Sequence, residues 1–79
     1  MKPGISTYQK AYKTCEEGLK IKGRATSAQL LNWLIHNYNI HSLNITSKGI
    51  TYHLKQQGYK KYRRYETKPY IFIFEKEGE

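Results

Sequence analysis

The chain contains no aspartate, one cysteine and no long apolar run. Without Asp, a Ser-His-Asp triad cannot be assembled, and no Gly-rich phosphate loop follows a strand pattern. Cys15, as the only thiol, excludes an internal disulfide, and nothing points to an oxidising compartment, so the cytoplasm is the expected location. The longest uninterrupted apolar run, Tyr70 to Phe74, is far shorter than the ~20 residues a membrane-spanning helix needs. The opening stretch MKPGISTYQK has no apolar segment of signal-peptide length, so neither insertion nor export is expected. His36, His41, His53 and Cys15 are the available soft metal ligands, and their spacing follows no zinc finger or ribbon pattern. No metal, other cofactor or catalytic activity is expected.

What the chain has is positive charge. Fourteen Lys and Arg stand against six acidic residues, all Glu. The balance is uneven: residues 25–47 carry no Lys, Arg or Glu, whereas residues 48–68 carry seven basic side chains and one acidic. Charge gathered on one stretch attracts polyanions more strongly than the same charge dispersed. At 79 residues the chain can build one small core and is read as a single domain, with its body at about residues 6–75 and a frayed end at 76–79.

The hydrophobic spacing predicts three helices. Ser6 followed by Gln9 fits a capping box, and Tyr8, Ala11, Tyr12, Cys15 and Leu19 recur at helical intervals, giving a first helix over about residues 6–18 with Gly18 and Gly23 as stops. Thr26 and Gln29 repeat the capping pattern before Leu30, Leu31, Leu34, Ile35 and Tyr38, with Trp33 at the border of the apolar face. NYNIHSLNI then reads as a turn whose apolar residues are pinned inward. Thr46 or Ser47 caps a third helix that should end at Gly58. From Tyr59 the period falls to two. YKKYRRYE and PYIFIFE, separated by Thr67, Lys68 and Pro69, read as a two-stranded antiparallel hairpin.

On a wheel at 100° per residue, Ile50, Leu54 and Gln57 gather on one side of the third helix and Lys48, Thr51, Tyr52 and Lys55 on the other. That outward face offers cations and hydroxyls with no acid, the chemistry a major-groove reader needs. Gly49 should cost the helix about 1 kcal/mol relative to Ala, and the expected compensation is a close approach of its backbone to the second helix or to a DNA phosphate, or a simple packing accommodation. In the hairpin, Lys60, Lys61, Arg63, Arg64 and Lys68 interleave with Tyr59, Tyr62 and Tyr65. Cations on an edge strand also guard against aggregation, and tyrosines also stack on unpaired bases.

Three helices and a basic hairpin give an α+β chain, and SKGITYHLKQQGYKKYRR with YIFIF resembles the second half of winged helix-turn-helix DNA-binding domains. More loosely, YQKAYKTCEEGLK followed by HLKQQGYKKYRR is similar to the small C-terminal DNA-binding domain of phage and plasmid primase-helicases. The resemblance implies duplex DNA binding through Ser47, Lys48, Thr51, Tyr52 and Lys55, with backbone contacts from the wing. A single-domain binder this compact is expected in a virus, plasmid or other mobile element, acting in replication initiation or transcriptional control, with a second copy or a replication protein as further partners. A single-strand binder in which Tyr52, Tyr59 and Tyr62 form a stacking surface, an excisionase-like recombination factor and a protein-interaction module are the alternatives.

Overall fold

A computed structural model describes residues 2–40, 43–62 and 70–76. The elements run α1 (Tyr8–Lys22), β1 (Arg24–Thr26), α2 (Ser27–Asn37), α3 (Ser47–Gln56), β2 (Tyr59–Tyr62) and β3 (Ile71–Lys76). The chain is therefore α+β, and its element order is compatible with a winged-helix-like fold. It has one strand more than the expected two-stranded hairpin. β1 pairs antiparallel with β3 in a sheet of order β1-β3-β2, a pairing across more than forty residues that a three-residue strand does not announce locally.

α1 begins one residue later than the capping pattern suggested: Thr7, not Ser6, accepts from the Lys10 amide at 3.3 Å. It also runs through Gly18 to Lys22. Gly18 is not a stop because its missing side chain makes room for Trp33 of α2, whose ring atoms would lie 2.6 Å from an added Cβ. Gly23 is the true stop, with φ at 80°, and its amide closes the last turn on the Leu19 carbonyl. α2 starts with the expected capping box, Thr26 accepting from the Gln29 amide and Gln29 reaching back to the Thr26 amide. α3 is capped by Thr46, and Gly58 turns the chain out of it with φ at 81°.

Ala11, Cys15 and Leu19 of α1, Leu30 and Leu34 of α2 and Ile50 and Leu54 of α3 meet Phe72 of β3 in one core. In the sheet Ala25 of β1 lies opposite Phe72 and shares its inward face. The N-terminal segment joins this core, outside the expected body: Ile5 is buried, its amide bonds to the Asn39 carbonyl at 2.9 Å, and the Asn39 amide returns to the Pro3 carbonyl at 2.8 Å. The turn into α3 is fixed by Ile45, which is buried, and by the Asn44 amide, which donates to the Tyr8 hydroxyl at 3.1 Å. Among the described residues no helix is long and apolar enough to cross a membrane.

Candidate nucleic-acid interface

α3 divides its sides according to its neighbours. Ile50 and Leu54 fill the core, and Ser47, Lys48, Tyr52, Lys55 and Gln56 face solvent. Tyr52 is 66% exposed, the most open aromatic side chain of the described residues. Thr51, grouped with this face on the wheel, sits on its flank. Its hydroxyl lies against that of Ser27 in α2 and donates to the Ser47 carbonyl at 3.0 Å. The contact with Ser27, a buried polar residue, holds Thr51 against α2 and away from the open surface. Gln57, placed with the core residues on the wheel, is exposed as the C-cap.

The opposite flank of α3 is held by a polar node from α1. The Glu16 carboxylate accepts from His53 Nε2 at 2.9 Å through one oxygen and from the Tyr59 hydroxyl at 2.7 Å through the other. One side chain thus joins α1, α3 and β2. One turn earlier on α1, the Tyr12 ring stacks on His53, with centroids 5.2 Å apart and planes 15° from parallel. The Tyr12 hydroxyl reaches α3 where Gly49 has no side chain: a Cβ there would lie 2.6 Å from it. Gly49 therefore compensates its helix penalty by admitting Tyr12 from α1, a packing role.

Where α3 meets the sheet, two cations converge. Lys55 Nζ of α3 lies 4.8 Å and Lys61 Nζ of β2 lies 5.8 Å from the centre of the Tyr70 ring. A ring quadrupole attracts each ammonium group without cancelling its charge, so two cations stand together at the junction of helix and hairpin. Lys60 differs from Lys61 in being paired with Glu75 at 3.2 Å, an exposed contact that offsets part of its charge. Arg63, Arg64 and Lys68 lie outside the described residues. Strand alternation in β2 is also interrupted: Tyr59 is opposite Lys76 and Lys61 opposite Phe72, an irregularity between the two pairs.

The stacking surface of Tyr52, Tyr59 and Tyr62 is not assembled. Tyr59 is buried, with its hydroxyl on Glu16, and Tyr62 stands opposite Ile71, on the alternate face of β3 from Phe72. The aromatic neighbours of Tyr52 are instead Tyr12 and His53, with which it lines a groove between α1 and α3. The sequence reading missed Glu16, Tyr12 and Tyr70. Glu16 follows Tyr12 by four residues and so falls beside the core stripe of α1, a signal that was present. Tyr70 precedes Phe72 by two residues and shares its strand parity.

Among the described residues no group of three His, Cys or Glu side chains comes together to hold a metal. Cys15 is buried among core residues, and burial, reinforced by the neighbouring Glu16 carboxylate, pushes its thiol up to about 12. It is an inert packing residue. Comparison with protein-family models, curated proteins and solved structures yields no match to this chain.

Proposed function

We propose that this chain is a winged-helix protein that binds duplex DNA, with α3 presented to the major groove and the junction of α3, β2 and β3 set against the phosphate backbone. The observation that carries the reading is the convergence of Lys55 and Lys61 on Tyr70, at the end of a helix whose open face holds Lys48, Tyr52 and Gln56 and no acid. Lys48 and Gln56 carry donors for base edges and phosphates, and the Tyr52 hydroxyl adds a donor and an acceptor. Lys55 and Lys61 supply sequence-independent attraction. Ser47, at the start of the helix, is placed for a backbone contact. Thr51 is assigned to packing against Ser27 on this reading.

Of the residues sequence reasoning assigned to the wing, Lys60 and Lys61 are described, and among the described residues Lys60 is paired with Glu75 while Lys61 lies against the Tyr70 ring. Origin in a virus, plasmid or other mobile element, and a role in replication initiation or transcriptional control, are part of the proposal. They rest on the small size of the chain, which is that of a compact single-domain binder. Binding isotherms for a duplex and for each of its separated strands, at two salt concentrations, test the reading. Duplex affinity should fall steeply with salt and exceed that for the single strands. Salt-insensitive binding, or none, would refute it.

A further inference from the structure

The open groove between α1 and α3 has a volume of about 570 Å³ and is lined by the rings of Tyr12, His53 and Tyr52, with Lys48 and Gln56 at its exposed edge. Its rings are arranged in advance of any ligand. Tyr12 and His53 form a near-parallel stack, His53 is held from behind by Glu16, and Tyr12 is seated over Gly49. Tyr52 stands at the mouth, two-thirds exposed.

Reading base edges in a groove needs hydroxyls, amides and cations, not flat ring surface. A walled set of π-faces matches a ligand that presents a π-face of its own, and in a nucleic acid that is a base out of its stack. The same groove has the other groups such a nucleotide requires. The Gln56 amide has donors and an acceptor for a base edge, and the Lys48 ammonium offers charge to the adjoining phosphate.

We infer that the groove lined by Tyr12, His53 and Tyr52 is a binding site for one unpaired nucleobase of the DNA held by α3. The site rests on the duplex-binding reading above and adds to it a preference for duplexes that contain an unpaired nucleotide. Tyr52 supplies the ring that closes on the base, and the Tyr12–His53 stack forms the wall behind it.

The test uses the full chain and four probes: a fully paired duplex, the same duplex with one extra unpaired 2-aminopurine, that duplex with an abasic residue in place of the 2-aminopurine, and the unpaired strand. The unpaired base should raise affinity about tenfold over the paired duplex, in line with the worth of one base–aromatic stack, and its fluorescence should be quenched on binding. The abasic duplex should lose the gain. Tyr52→Ala should bring the paired and unpaired duplexes to equal affinity and abolish the quenching, whatever loss of the Tyr52 hydroxyl takes from both duplexes alike, and Tyr52→Phe should restore the gain and the quenching. Equal affinity for paired and unpaired duplexes overturns the site while leaving duplex binding standing. So does a gain that the abasic probe retains, since that reports a flexible joint in the DNA. Binding to none of the duplexes overturns both readings.

Discussion

Replacing Glu16 by Ala removes a side chain that joins α1, α3 and β2. Its carboxylate accepts from His53 and from Tyr59 at 2.9 and 2.7 Å, and hydrogen bonds to a charged group contribute about 1.5–3 kcal/mol each. The pair is incompletely buried, with the His53 and Glu16 side chains 21% and 18% exposed, so water replaces part of the His53 bond and the lower end of that range applies to it. Tyr59 is 4% exposed and regains less. The two contributions together give an expected loss of about 3–4.5 kcal/mol. Domains of this length hold roughly 0.05–0.15 kcal/mol per residue, so the loss is a large share of the total. The melting temperature should fall by at least about 10 °C, at about 4–8 °C per kcal/mol for a domain of this size. Glu16→Gln keeps the shape and one carbonyl acceptor and should cost about half as much. Urea unfolding followed by circular dichroism measures both variants. A Glu16→Ala protein within about 0.5 kcal/mol of wild type, the range of an ordinary surface change, would show that the node does not hold α3 in place.

Gly18→Ala should destabilise the fold by about 1–3 kcal/mol despite the better helix propensity of Ala, because the new Cβ would meet three Trp33 ring atoms at 2.6–3.0 Å; a more stable variant in urea would contradict that packing. Leu54→Ala should cost about 2–5 kcal/mol, since Leu54 is fully buried in a small core, and a midpoint shift below about 1 kcal/mol would place α3 wrongly. Cys15 should resist thiol reagents in the native state and react at a rate set by unfolding. With its folded value raised from 9.0 to about 12, the stability it contributes is fully present below pH 9 and is lost as pH rises from there through 12. Replacing Cys15 by Ala should therefore flatten the alkaline limb of a stability-versus-pH curve, and an unaltered limb would count against its burial.

What the sequence made legible was governed by local chemistry. Thr26 and Gln29 form their capping box within four residues, and Gly58 stops α3 by its own backbone freedom. The features that escaped depend on partners far along the chain. Gly18 resembles a helix stop until Trp33 is seen lying over it. β1 exists because β3 pairs with it, and Thr51 turns inward because Ser27 is its neighbour. A helical wheel ranks residues by angle from the core but does not say which flank is covered, and α3 is covered on both. The cations of α3 and β2 were visible as composition. Their meeting at Tyr70 was not, since it requires the hairpin to fold back beside the end of the helix.

The most direct test of duplex binding through the junction of α3 and the sheet is the salt dependence of duplex affinity for wild type and for a Lys55→Ala, Lys61→Ala double variant. Each phosphate contact contributes about 0.9 to the slope of log K against log salt. The wild-type chain should show a steep negative slope, and the variant's should be shallower by about 2, with all duplex sequences weakened about equally. A slope unchanged by the double substitution would contradict the account.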